Sequence, residues 1–166
     1  IGFKSGQYGR RGVDINSHYQ KGRKGFGISV NLEESSGYRD HSEYKKQAYG
    51  GLYSYSLMST ANLKLRINYS QLDSEQAGPL TQEMAKTNHR QNNLMFANNN
   101  RNRNQFDTSL KFRSSGDQNN NFSIQAGFRS FNQKETRTLQ LTSEIGDTQY
   151  EDQDNFVLWG QFQYRN

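Results

Sequence analysis

The sequence predicts an all-β protein, an antiparallel transmembrane β-barrel with short periplasmic turns and long extracellular loops, and three observations predict it. Only 31% of the 166 residues are hydrophobic and mean hydropathy is low, yet ten Tyr, ten Phe and one Trp raise the aromatic share to 13%. A chain that stays unfolded is poor in such rings, whereas a barrel in lipid needs apolar side chains at alternate positions only. Seven segments alternate apolar and polar residues with period two, the pattern of a strand with one dry and one wet face. The connections between those segments alternate short and long, as they do around an outer-membrane barrel.

The strands follow in order. Val13, Ile15 and Tyr19 alternate with Asp14, Asn16, His18 and Gln20 in the first. After the turn 21–24 the second sets Phe26, Ile28, Val30 and Leu32 against Gly27, Ser29 and Asn31. In the third, Tyr49, Tyr53, Tyr55 and Leu57 form one face and Ser54 and Ser56 the other. The fourth is the cleanest, with Leu63, Leu65, Ile67 and Tyr69 against Lys64, Arg66, Asn68 and Ser70. The fifth places Phe106, Thr108, Leu110 and Phe112 against Asp107, Ser109, Lys111 and Arg113, and the sixth Phe122, Ile124, Ala126 and Phe128 against Ser123, Gln125, Gly127 and Arg129. In the seventh, Phe156, Leu158, Gly160, Phe162 and Tyr164 oppose Asn155, Trp159, Gln161 and Gln163. Short turns are expected at 21–24, 58–61 and 114–120, and long polar loops at 33–47, 71–104 and 131–154. Aromatic residues beside the short turns, among them Tyr19, Phe26, Tyr55, Phe112, Phe122 and Tyr164, read as a girdle at headgroup level.

Charge decides which face is wet. Lys64, Arg66, Asp107, Lys111, Arg113 and Arg129 lie in mid-strand on the polar face. A cation at the bilayer midplane costs roughly 2–4 kcal/mol, so these side chains are expected to face the lumen and Ile28, Val30, Leu65, Ile67, Leu110, Ile124 and Leu158 the lipid. Seven strands would leave open edges in hydrocarbon, so residues 1–166 are expected to be part of a larger barrel domain, its remaining strands outside this sequence. No apolar run approaches the ~20 residues of a membrane-spanning helix. The start at Ile1 has no apolar leader and reads as a mature or truncated end.

The loops carry a resemblance. Gly37-Tyr38-Arg39-Asp40-His41-Ser42, then Ala77-Gly78-Pro79-Leu80-Thr81 and a basic, Asn-rich stretch, resemble segments of TonB-dependent outer-membrane receptors of the ferric-citrate and related iron-complex group. In that group a Pro-Gly order is common where this chain has Gly-Pro. The opening Ser5-Gly6-Gln7-Tyr8-Gly9 looks like the tip of the first outer loop, just before the second barrel strand. The resemblance implies strands two to eight of a 22-stranded barrel, with the plug domain and TonB-contacting segment elsewhere. It further implies a receptor in the bacterial outer membrane that takes up a siderophore or ferric citrate with energy delivered through TonB. Lipid, lipopolysaccharide, TonB and the iron complex are the expected partners.

Residue chemistry points away from catalysis. His18, His41 and His89 are scattered, there is no Cys, and no nucleophile elbow or phosphate-binding glycine loop occurs, so neither a metal site, a cofactor nor an enzyme is expected. The excess of 21 Lys and Arg over 16 Asp and Glu is spread along the chain, which disfavours nucleic acid. The loops concentrate donors, and Arg39, Arg90, Arg101 and Arg103 are the candidate contacts for an anionic, oxygen-rich chelate. A porin-like channel without a plug and a secreted β-rich adhesin are the rivals. A plug upstream of Ile1 would exclude the first, and solubility without detergent would favour the second.

Overall fold

The computed structural model describes residues 1–115, 121–142 and 145–165. In them, eight strands form one antiparallel sheet in which every strand pairs with its neighbours in sequence. These are β1 (Gly2–Ser5), β2 (Arg11–Lys21), β3 (Lys24–Ser35), β4 (Tyr44–Met58), β5 (Ala61–Glu75), β6 (Asn100–Ser115), β7 (Asn121–Gln140) and β8 (Gly146–Arg165). A short helix α1 (Gln82–Thr87) and one 3-10 turn (Leu94–Phe96) lie between β5 and β6.

The register carries the period-two pattern across the sheet. Side chains opposite one another in an antiparallel ladder share a face. The row Tyr19, Phe26, Tyr53, Leu65, Leu110, Ala126, Gly160 is therefore one line across the apolar face, and Gln20, Gly25, Ser54, Lys64, Lys111, Gln125, Gln161 one line across the polar face. Ring contacts tie the apolar rows together: Phe26 meets Tyr53 at 5.0 Å and Phe112 meets Phe122 at 5.6 Å between centroids.

The apolar band does not follow a row but climbs across them. Phe3, Val13 and Leu32 share a row with Gln47, Gln71, Asn104, Asn132 and Asp154. Near β8 the apolar residues instead occupy rows nearer the short turns, down to Tyr164 opposite Phe122. A horizontal apolar belt crossing successive ladder rows requires strands tilted to its normal, the arrangement of strands in a barrel wall.

This face is uncovered within the chain: Ile28 is 60% exposed and Leu158 76%, and Ala61 and Phe96 are the buried hydrophobic residues among those described. A soluble domain does not leave such a continuous apolar face open.

The structure differs from the sequence expectation at the ends of the strands. An eighth strand, β1, pairs Phe3 with Val13 and Ser5 with Arg11, and is too short to display an alternation of its own. It reaches β2 through a turn in which Tyr8 and Gly9 have φ of 59° and 66° and Arg10 N–H donates to the Gln7 carbonyl at 3.3 Å, the form of a type I′ hairpin. The long connections are shorter than expected because the strands continue beyond the alternating segments. They reduce to 36–43 and 76–99, and the expected loop 131–154 is the upper part of a ladder paired from Asn121↔Arg165 to Gln140↔Gly146. Both faces of that upper part are polar, so no hydrophobic period marks it, while the backbone hydrogen bonds and ion pairs such as Lys134 with Asp152 at 3.5 Å and Arg137 with Glu151 at 3.6 Å hold it. Of the expected turn 114–120, residues 116–120 lie outside the described residues.

Candidate functional site

At the end of the sheet away from the tight turns 21–24 and 58–61, four connections meet. The second of them, 36–43, is seated on the third, 76–99. Arg39 donates from Nη2 to the Gly78 carbonyl at 2.7 Å and to the Gln91 carbonyl at 3.0 Å, while Asp40 N–H donates to the Arg90 carbonyl at 2.7 Å. His41 donates from Nε2 to the Asn99 carbonyl at 2.7 Å, its Nδ1 lying 3.5 Å from Glu75. Gly78 lies against Phe96 so closely that a Cβ there would overlap the ring, which explains glycine at this approach. The buried Asn99 accepts Thr138 N–H at 2.7 Å and so joins the loop to β7. Met95 touches the position of Gly146 at the tip of the β7–β8 hairpin.

On this cap lies a ledge of rings. Tyr8, in the left-handed region that costs a bulky residue strain, is held by Ser36 N–H and the Ser35 hydroxyl, which donate to its carbonyl at 3.0 and 3.1 Å. Its ring meets Tyr38 edge-on at 5.1 Å, and Tyr38 meets His89 at 5.8 Å. Arg90 donates from Nε to the Tyr38 carbonyl at 3.0 Å, and its guanidinium lies 5.7 Å from the Tyr8 ring centroid and 5.8 Å from that of Tyr38. Two exposed tyrosines, a histidine and a guanidinium thus face solvent together.

The four candidate arginines fall into two groups. Arg39 and Arg90 belong to the cap, as their loop positions imply. Arg101 and Arg103, expected in a loop, lie in β6 on the polar face, because the strand begins at Asn100. Arg101 grips Glu135 with two hydrogen bonds, at 2.9 and 3.2 Å, and these hold the Glu135 carboxyl below its ordinary range against the opposing effect of burial. Arg103 lies 4.6 Å from the Phe131 ring centroid. His41 and Asn99, which fall in the expected loops 33–47 and 71–104, both have structural partners here. Tyr8, Tyr38, His89 and Phe96 were not legible as a group, since they are distant in sequence and meet only through the loop docking. The Gly78-Pro79 pair was the one local signal of a tight approach.

On the polar face below the cap, Arg129 pairs with Asp107, and Lys4 reaches Asp14 at 2.9 Å and Glu33 at 3.5 Å. Nearer the short turns, Lys64, Arg66, Lys111 and Arg113 line a hollow of about 310 Å³ with Leu52, Asn62, Ser109 and Gln125. The five cations expected in the lumen, Arg129 included, and Asp107 therefore share the polar face, as alternation implies. Among the described residues, no group of three His, Asp or Glu side chains could hold a metal ion.

An antiparallel meander with one open apolar face, one charged face and a folded loop cap at one end has the architecture of a β-barrel wall. Three solved structures share that fold. The unliganded ferric citrate transporter FecA matches with a TM-score of 0.83 and 13% identity over 93% of this chain. The ferric-catecholate import receptor Fiu of E. coli K12 matches in its open form with a TM-score of 0.79 and 13% identity over 95% of the chain, and in its closed form at 0.69 and 12% over 93%. The chain spans 22% of FecA and 29% and 26% of the two Fiu chains. No family model and no curated protein matches the sequence.

Proposed function

We propose that this chain is part of the barrel wall of a bacterial outer-membrane receptor that captures an iron complex and takes it up with energy from TonB, a plug domain closing the barrel. The observation that carries the reading is the open apolar face bounded by a polar cap, in a strand order that FecA and Fiu share over nearly the whole chain. In this reading the apolar band contacts lipid and the charged face lines the lumen. β7 and β8, each 20 residues and so ~66 Å long, exceed the ~42 Å that a strand tilted by about 45° needs to cross a ~30 Å core, and their polar ends project outward. Basic residues at the projecting rim face lipopolysaccharide phosphates.

The cap is the ligand-capturing surface, and of the four candidates Arg39, Arg90, Arg101 and Arg103, direct contact falls to Arg90 on the cap and Arg103 on the polar face of β6. Arg90 is the best placed, being exposed beside two rings that offer stacking faces to a planar chelator. Arg39 is occupied by loop carbonyls and Arg101 by Glu135, so both act by shaping the cap.

Uptake of labelled ferric citrate and of a ferric catecholate is measured in iron-limited cells carrying the intact receptor, with and without TonB. TonB-dependent uptake that falls at least tenfold in an Arg90→Ala/Arg103→Ala variant of normal surface level supports the proposal. Uptake that is independent of both TonB and the receptor refutes it.

A further inference from the structure

The ring ledge on the cap is assembled from loops on either side of the β2–β3 hairpin, and the end of β3 ties two of them together. Glu33 and Ser35 lie two apart in an extended strand, so both fall on the polar face. Both are largely buried, Ser35 at 9% exposure and the Glu33 side chain at 12%. Each holds one group from the turn before β2 and one from the chain that follows β3. Ser35 Oγ donates to the Tyr8 carbonyl at 3.1 Å and accepts Gly37 N–H at 3.1 Å. Glu33 Oε1 lies 3.0 Å from both Nε and Nη2 of Arg10 and accepts the Tyr44 hydroxyl at 2.6 Å, while its Oε2 lies 3.5 Å from Lys4 Nζ. Arg10 closes the turn that carries Tyr8, its carbonyl accepting Gly6 N–H at 2.9 Å, and Tyr44 opens β4 directly after 36–43.

We infer that Ser35 and Glu33 are positioning residues that lock the Tyr8 turn and 36–43 into one body, so that the ring ledge is formed before a ligand arrives. The inference rests on the reading of the cap as the capturing surface. The Gly37 bond alone would be a local serine turn. The bond from the same hydroxyl to Tyr8, 27 residues back, makes Ser35 a bridge, and the hydroxyl's single proton is committed there. Such a hold is needed for two reasons. The β2–β3 ladder ends at Arg11↔Glu34, so above it backbone pairing no longer fixes the two loops relative to each other. Tyr8 also sits in the left-handed region at φ 59°, which a bulky residue leaves readily unless its surroundings retain it. The recognition geometry depends on both loops at once, because the Arg90 guanidinium lies within 6 Å of the Tyr8 and Tyr38 rings together. Loops that must be ordered on binding cost affinity, and loops already tied do not.

The test uses the intact receptor with Ser35→Ala, Ser35→Thr and Glu33→Gln variants, insertion being judged by heat-modifiable gel migration. Without ligand, Ser35→Ala should speed amide hydrogen exchange in 6–10 and 36–43 together and leave the β4–β5 ladder unmoved. In uptake of labelled ferric citrate and of a ferric catecholate, the half-saturating concentration should rise on the order of tenfold at an unchanged maximal rate, since two hydrogen bonds to the loops are lost and the later steps are not touched. Ser35→Thr, which keeps the hydroxyl, should restore both. A role in folding alone would lower the surface level and the maximal rate instead. If Ser35→Ala inserts poorly, Glu33→Gln keeps an acceptor for Tyr44 but loses the charge facing Arg10 and Lys4, and should give the same pattern with a smaller rise. Faster exchange in one of the two segments only overturns the inference. A half-saturating concentration that Arg90→Ala raises and Ser35→Ala does not also overturns it, and leaves the capture reading standing. One that neither variant moves, or uptake of neither complex, removes the capture reading and the inference together.

Discussion

Replacing Ile67 by arginine tests the membrane reading at its centre. Along β5 the apolar face presents Leu63, Leu65, Ile67 and Tyr69, so Ile67 lies near the middle of the band. Its neighbours across the ladder are Gly51 and Thr108, neither able to pair with a guanidinium charge. The first polar outward position up the strand is Gln71, four residues or ~14 Å away, beyond easy reach of a snorkelling side chain. A cation fixed there costs roughly 2–4 kcal/mol, a fall of roughly 30- to 700-fold in the folding equilibrium. Arg66→Gln, on the opposite face one residue away, should leave that equilibrium nearly unchanged. The climb of the band across the ladder sharpens the contrast: Leu32→Arg should cost about 1 kcal/mol near the interface, whereas Gln71→Arg, one strand beyond Gln47 on the same row, should cost close to nothing. The assay is reversible urea unfolding of the protein in phospholipid vesicles. Equal tolerance at Ile67 and Arg66, or equal costs at Leu32 and Gln71, would refute the assignment of the faces or the strand tilt.

Three further outcomes follow from the cap and the strand ends. A cysteine at Asp147, exposed in the β7–β8 hairpin, should be labelled on intact cells by an impermeant maleimide, and one at Ser59 in the tight turn should not; the reverse pattern would invert the topology. Gly78→Ala forces a Cβ into the Phe96 ring and should open 76–99, seen as faster hydrogen exchange there with β2–β5 unaffected. Glu135 lies in the projecting part of β7 and its carboxyl is held below the ordinary value of 4.5, chiefly by Arg101, so its contribution to stability is full above that value and lost as pH falls through the lower folded one. Protease resistance of the β7–β8 hairpin should therefore weaken in acid below about pH 4.5, and Glu135→Gln should remove that acid limb.

The sequence by itself determined the strands that cross the apolar band, the assignment of every alternating residue to its face, and the tight turn at 21–24. Period-two alternation is a local property, and one buried face forces the register, since a slip of one residue would exchange Leu65 with Lys64. It also placed the five cations Lys64, Arg66, Lys111, Arg113 and Arg129 together on one face. What only the tertiary structure decided lies where both faces are polar. There the backbone ladder continues without a hydrophobic signature, so the 131–154 stretch reads as a loop although it is paired to Gln140↔Gly146, and Arg101 and Arg103 read as loop residues although they belong to β6. The cap is legible least of all. Arg39 meets Gly78, His41 meets Asn99 and Tyr8 meets Tyr38 through hydrogen bonds and ring contacts between segments up to 58 residues apart, and such contacts leave no periodic trace in the chain.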